Sequence, residues 1–307
     1  MIQRYNRNPI LTKKDIPYEV ATVHNAAVCK YLDKYIMIFR SHLHNGRSIL
    51  GLAQSDNGFD FEVSPKPFMT PSQHGMFQQY EEYGIEDPRI TLIDDSYHIT
   101  YSAYSRYGVR IGLATTKDFI NIERVSLITE ADYRNVVLFP EKFNNLYARL
   151  DRPHSEICPW SIWISYSPDL VYWGESRLIM KPVDYHWDQM KIGPGAPPFK
   201  THKGWLHIYH GVFPTMDGSV YRLGVALHDL NDPSLILGVC DHWILQPEEQ
   251  YEITGYVHNV VFCCAAVPEQ DGTVKIYWGG ADSVMCVGVA IIDELIELCL
   301  NNSRPAI

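Results

Sequence analysis

Three features of the sequence predict an all-β fold, a five-bladed β-propeller with a short C-terminal helix. A pair of strands recurs about every 60 residues, each unit alternates apolar and polar positions with period 2, and helical periodicity is confined to the last few turns. The first strand of each pair spans Tyr35–Arg40, Tyr97–Ser102, Leu146–Asp151, Trp205–His210 and Val274–Gly279. Their partners are Gly51–Asp56, Gly112–Asp118, Trp163–Asp169, Gly224–Asp229 and Gly288–Asp293, and most carry a small-residue and Asp signature. Repetition of small antiparallel sheets at this period implies radial stacking around a channel.

The 307 residues are read as one domain, 1–307, because closed all-β architectures often reach this length undivided and no low-complexity linker interrupts the chain. With 46% hydrophobic and 12% aromatic residues there is ample material to fill the spaces between sheets. Turns such as Asp56-Asn57-Gly58 and Asp271-Gly272 separate the strands. Gly193-Pro-Gly-Ala-Pro-Pro198 reads as a loop. Ile291–Leu300 carries apolar residues at helical spacing and is expected to pack over one face or support an interface.

A net charge of −10 argues against nucleic acid or an anionic membrane as partner, since both require a basic face. There is no apolar leader and no apolar run of membrane length, which points to the cytoplasm. The seven cysteines are scattered apart from Cys263-Cys264, lack metal spacing, and read as buried thiols of a reducing compartment. His24, His42, His44, His154, His210 and His258 show no paired spacing with acidic ligands, so neither a metal nor another cofactor is expected. His210 and His258 are candidates to hydrogen-bond a ligand, or else to satisfy a backbone carbonyl.

A propeller gathers polar strand ends around one mouth of its channel. Gly84-Ile-Glu-Asp-Pro-Arg89 stands just before a first strand, Asp132–Asn135 and Arg149–His154 flank another, Met190–Gly195 precedes a third, and Gly280-Ala-Asp282 closes a fourth. Pro88 is expected to hold Asp87 extended and fix its carboxylate direction. Asp87 is then either a turn former or a catalytic acid whose proton is retained because Glu86 lies beside it. Arg134, Arg152 and Lys191 lie in separate segments at comparable places. Each could pair with one of 36 acidic residues, but together they would form a phosphate-binding set, two guanidinium forks and a point charge. Loop aromatics Tyr80, Tyr83, Tyr107, Tyr133 and Trp187 are candidates to stack on a sugar, whereas Trp163, Trp173 and Trp205 read as packing.

Phe39-Arg40, Gly84–Arg89, Arg134-Asn135 with Leu138-Phe-Pro140, Arg152-Pro153, Lys191-Ile-Gly193, Ile208–Gly211 and Gly280-Ala-Asp282 occur in an order that resembles glycoside hydrolase family 130 from about Asn8 onward. That family comprises β-mannoside phosphorylases and fewer β-mannosidases on a five-bladed propeller. The resemblance implies that Asp87 is the sole general acid, protonating the leaving oxygen through the 3-hydroxyl of the bound mannose. It assigns Arg134, Asn135, Arg152, Lys191 and Tyr221 to inorganic phosphate, a co-substrate. Asn25, Arg40, Arg47 and Asp282 fall on positions that hold mannose. Ala26 replaces a Ser frequent in the family, and the loop before Arg47 differs in length.

One acid with a cation cluster suits phosphorolysis, because phosphate is already an anionic nucleophile and no base is needed. The implied reaction inverts a β-mannoside to α-mannose 1-phosphate. The pattern is nearest to members acting on β-1,2-mannobiose or short β-1,2-oligomannosides. The β-1,4-linked mannosyl-glucose, mannosyl-N-acetylglucosamine and mannooligosaccharides stay open, as do a β-mannosidase on the same fold, a carbohydrate-binding propeller without activity, and self-association.

Overall fold

The computed structural model describes residues 1–307, and its regular structure is almost entirely antiparallel strand. The repeated pairs form as read: Tyr35 faces Ser55, Tyr97 faces Thr116, Ala148 faces Tyr166, Ile208 faces Val225 and Ile276 faces Gly288. The repeat signature has a packing cause. Phe39 lies directly opposite Gly51, Tyr101 opposite Gly112 and Tyr209 opposite Gly224, and each ring occupies the space a Cβ on the glycine would need. The acidic end of the signature caps a turn. Asp118 Oδ1 accepts the backbone N–H of Ile120 and Asn121, and Asp169 Oδ1 those of Val171 and Tyr172. In the first unit Asn57, not Asp56, plays this part, accepting from Phe59 and Asp60.

Each pair is completed by a strand that precedes it: His24–Tyr31, Gly84–Ile93, Tyr133–Phe143, Lys191–Pro194 and Val261–Pro268. These strands pack against one another and line the middle of the molecule. Three of the polar segments expected at strand ends, those around Asp87, Arg134 and Lys191, are therefore themselves part of innermost strands, and Gly193-Pro194 belongs to one of them rather than to a loop. Hydrogen bonding groups the strands into four sheets. In the eight-stranded sheet, two antiparallel runs are joined only by the parallel bridge Ser48↔Gly84.

Gln3–Arg4 pairs with Val284–Ile291, so the first residues complete the sheet formed by the last strands. Arg4 donates through Nε and Nη2 to the buried Glu252, at 3.0 and 2.9 Å, and Trp278 Nε1 donates to the same carboxylate. Ile292–Asn301 forms the expected helix, with Leu295, Ile296 and Cys299 buried against Gly218–His228 and Ile236–Cys240. Asp293 and Glu294 in its first turn complement the helix dipole. Two shorter helices, Gly75–Tyr80 and Gln250–Ile253, span too few residues to leave a periodic signal. The first leads into Glu81, a fully buried carboxylate that accepts from Arg124 Nε and Nη2 at 2.9 Å each, Tyr101 Oη at 2.7 Å and the Ser72 backbone at 2.7 Å.

All seven cysteines are free; Cys263 and Cys264 face different apolar clusters, as adjacent strand residues should. No helix is long and apolar enough to cross a membrane.

Candidate active site

The innermost strands carry an irregularity at matching places. Their pairing slips between His24 and Ala27, between Glu86 and Arg89, and between Arg134 and Val137. Such bulges re-aim a side chain, and the residues within them, Asn25, Asp87 and Asn135, have φ of +49°, +49° and +59°. Asp282 reaches +49° in the turn after Gly280. Asn and Asp tolerate this left-handed region best among residues with a Cβ. The extended conformation expected for Asp87 from Pro88 is thus overturned, because the bulge outweighs the preference of a residue before proline.

These bends open a cavity of about 280 Å³ lined by Asn25, Arg40, Asp87, Arg134, Asn135, Arg152, Lys191, Tyr221 and Asp282. Of the candidate ligand-binding residues, His210, Arg47 and His258 are outside this lining. His210 lies buried just behind the wall, its Nε2 3.2 Å from Arg152 Nη1 and 3.5 Å from Asn135 Nδ2. Arg47 is exposed and outside the lining; its loop turns back on itself through Leu43 and Asn45, carrying the side chain away from the cavity. His258 is likewise exposed, with Nδ1 3.3 Å from the Ile253 carbonyl.

Asp87 receives Asn25 Nδ2 at 2.9 Å and Arg40 Nη1 at 3.0 Å, both on Oδ1. Arg40 also donates to Glu86 Oε1 at 2.7 Å, and Glu86 Oε2 accepts from Arg134 Nη1 at 3.2 Å. The fully buried Arg89 braces the bulge by donating to the Asp87 carbonyl at 2.7 Å and the Gly195 carbonyl at 3.1 Å. Burial alone would raise the Asp87 carboxyl. Arg40, Arg89 and the Asn25 hydrogen bond overcome it and hold the group well below the usual carboxylate range. Glu86 does not have the proton-retaining effect expected of it beside Asp87, since its carboxylate pairs with Arg40 and Arg134. The carboxyl pushed up is that of Asp282, to about 6, by burial and by Asp87 and Glu86, against the pull of Arg40.

Arg152 and Lys191 behave in the opposite way. The ion pairs of the cavity are Arg40 with Glu86 and Asp87, and Arg134 with Glu86; Arg152 and Lys191 have no carboxylate partner. Lys191 Nζ rests 4.9 Å from the Trp160 ring centre and 5.3 Å from that of Tyr221, and Arg152 sits 5.2 Å from Trp160. Burial, reinforced by Arg152 and Arg134, lowers Lys191 to about 8. Burial lowers Arg152 to about 10, with Arg134 and Arg89 adding to the effect and Tyr221 opposing it. Burial and the same cations keep His210 neutral, so its Nε2 accepts from Arg152. Buried like charges without counter-charge constitute a site for an anion.

A second cavity of about 490 Å³ adjoins the first, sharing Arg134, Arg152 and Trp160 and adding Tyr83, Tyr104, Asp132 and His154. Of the proposed stacking aromatics only Tyr83 lines it. Tyr80 and Tyr107 pair with each other at 5.9 Å, and Tyr133 packs on an apolar cluster. Trp187 is core, 5.8 Å from Tyr209 with its Nε1 on the Asp241 carbonyl, which corrects its reading as a loop platform. Trp205 is buried as read, and Trp173 packs on Arg149. Trp160 was missed by sequence reasoning; its only signal was a lone aromatic after Cys158-Pro159, outside any strand pattern.

Antiparallel sheets around a cavity that holds a buried carboxylate and cations without a carboxylate partner define an anion-binding protein on an all-β scaffold. The sequence profile of glycoside hydrolase family 130, described as β-1,4-mannooligosaccharide phosphorylase, matches residues 2–301, and the chain belongs to that family. It is 40% identical over 251 residues to a β-1,2-mannobiose phosphorylase of Listeria innocua, covering 81% of this chain and 68% of the relative. It is 36% identical over 303 residues to a 1,2-β-oligomannan phosphorylase of a Thermoanaerobacter species, covering 95% and 97%. A solved structure of the Listeria innocua β-1,2-mannobiose phosphorylase with β-1,2-mannobiose superposes with a TM-score of 0.89 at 31% identity, covering 97% of this chain and 99% of that one.

Proposed function

We propose that the protein is an inverting β-mannoside phosphorylase acting on β-1,2-mannobiose or short β-1,2-oligomannosides, and that its sheets form five blades, the eight-stranded sheet dividing at its single parallel bridge. The observation that carries the reading is the pair of cations beside Asp87 that lack a carboxylate partner, the buried Arg152 and the half-buried Lys191. In this reading phosphate lies on Arg134, Asn135, Arg152, Lys191 and Tyr221, with His210 holding Arg152 from behind. Mannose lies against Asn25, Arg40 and Asp282, and the leaving sugar extends toward Trp160 and Tyr83.

Asp87 is the proton donor. Surrounding cations suppress its proton affinity; a phosphate dianion bound among Arg134, Arg152 and Lys191 would offset that field and raise it. A phosphate oxygen attacks the anomeric carbon, the C1–O glycosidic bond breaks, and the departing oxygen takes the Asp87 proton, relayed by the mannose 3-hydroxyl. One displacement without an enzyme nucleophile inverts the configuration. Seven free cysteines accord with action in the cytoplasm.

The test is incubation of β-1,2-mannobiose with and without inorganic phosphate, with proton NMR of the first product. The expected result is phosphate-dependent formation of α-mannose 1-phosphate alone. Mannose released at one rate regardless of phosphate would establish a hydrolase, and a β-phosphate product would require a covalent intermediate. A screen of mannose, glucose and N-acetylglucosamine as acceptors in the synthetic direction identifies the linkage partner.

A further inference from the structure

We propose that His42 is a positioning residue that aims Arg40 and thereby sets the direction and charge environment of Asp87, an inference that rests on Asp87 being the proton donor. His42 and Arg40 lie two residues apart on Lys34–His42 and so project from the same face of the strand. All three guanidinium nitrogens of Arg40 are engaged. Nε donates to Ser48 Oγ at 3.0 Å, Nη1 to Asp87 Oδ1 at 3.0 Å, and Nη2 both to Glu86 Oε1 at 2.7 Å and to His42 Nε2 at 2.9 Å. His42 is the one uncharged ring among these partners.

A guanidinium has no lone pair to offer, so His42 Nε2 must accept and the ring proton must sit on Nδ1. Nδ1 lies 3.0 Å from Thr22 Oγ1, which also accepts the His42 backbone N–H at 3.2 Å. Thr22 thus fixes the tautomer that Arg40 requires. The ring is held in place by its neighbours, 4.9 Å from His24 and 4.7 Å from Tyr256, and the nearby charges are Arg40, Glu86 and Asp87. Burial and Arg40 lower its proton affinity to about 4, against the pull of Glu86 and Asp87, so the ring stays neutral across the working range. Without this acceptor one N–H of Nη2 is left unpaired in a buried place. The guanidinium can then rotate to engage both oxygens of Glu86 and leave Asp87.

The experiment compares wild type with His42→Phe, His42→Gln and Thr22→Val. Nitrogen-15 NMR of the Arg40 guanidinium reads the position directly. Wild type and His42→Gln, which restores an acceptor, should show separate, slowly exchanging Nη resonances, while His42→Phe and Thr22→Val should show them averaged. In phosphorolysis, His42→Phe should lower kcat about 10- to 100-fold, the cost of a misplaced reacting group, with the KM for phosphate unchanged. Thr22→Val should show a smaller loss of the same kind. Unaveraged resonances in folded His42→Phe or Thr22→Val, or a Gln variant no better than Phe, would overturn the proposal; should His42→Phe not fold, the other two variants still decide it. An inactive wild type with the NMR pattern as expected would instead remove the phosphorylase reading and leave the positioning standing.

Discussion

Glu81 and the pair Arg152/Lys191 are both charge drawn partly or wholly out of water, yet they are treated oppositely. Around Glu81 every charge is answered: Arg124 pairs with it through two nitrogens, and Tyr101 and the Ser72 backbone satisfy what remains. In the cavity, Arg152 and Lys191 face each other, Arg134 and two aromatic rings, with no acid in contact. The first arrangement holds a segment in place. The second spends stability to keep a charge deficit for an incoming anion, and that difference separates scaffold from site more sharply than burial or residue type does.

The largest effect should come from breaking the satisfied cluster. Glu81→Ala leaves the half-buried Arg124 and the buried Tyr101 hydroxyl without their acceptor and should cost about 3 kcal/mol in chemical denaturation, the low end of the penalty for breaking a buried pair. Next is Asp87→Asn, which should keep the melting temperature near wild type while lowering turnover by roughly 100-fold or more, the scale of a lost general acid. Near-normal turnover would take Asp87 out of the mechanism. Arg152→Ala and Lys191→Ala should each raise the KM for phosphate by the worth of a charge-assisted contact, about 1.5–3 kcal/mol, with a much smaller change for the mannoside. In the absence of phosphate these two variants should be no less stable than wild type, because repulsion is relieved. Equal weakening for both substrates would mean that the cations hold sugar or fold.

The smallest effect concerns pH. Lys191 is lowered from 10.5 to about 8, so between those values the unfolded chain binds the proton that the folded chain has released. Stability contributed by this group therefore rises with pH above about 8. Phosphate affinity should fall over the same range as the ammonium is lost. Calorimetry at pH 7 and pH 9 should show both trends, and Lys191→Ala should flatten them.

The outer strands were legible because their cause is local: an aromatic across from a glycine and a capped turn leave a repeated pattern. The innermost strands were hidden by their own function. Gly84–Ile93 opens with buried Glu86, Asp87 and Arg89, so charge stands where a buried strand should be apolar, and alternation gives no signal. The residues of the cavity were legible as types, but their charge states were not. Which carboxyl is raised, Asp282 rather than Asp87, depends on where Arg40 points, and that follows from contacts between residues as far apart as Asn25 and Asp282. Where Arg47 falls was illegible for a similar reason: the turn at Leu43–Arg47 leaves it exposed and outside the lining of the cavity.

The pairing of Gln3–Arg4 with Val284–Ile291 imposes a timetable on biosynthesis. At about 5–20 residues per second, the early strand must wait roughly 15–60 s for its partner to emerge. Throughout that interval the edge of Val284–Ile291 does not yet exist, and the Arg4 side chain that Glu252 will engage is in water. The assembling chain can accumulate sheet by sheet, but the sheet that holds both Gln3–Arg4 and Val284–Ile291 is completed only at the end. A fusion that stiffens or shields the first few residues should therefore reduce the yield of closed protein without touching any residue of the cavity.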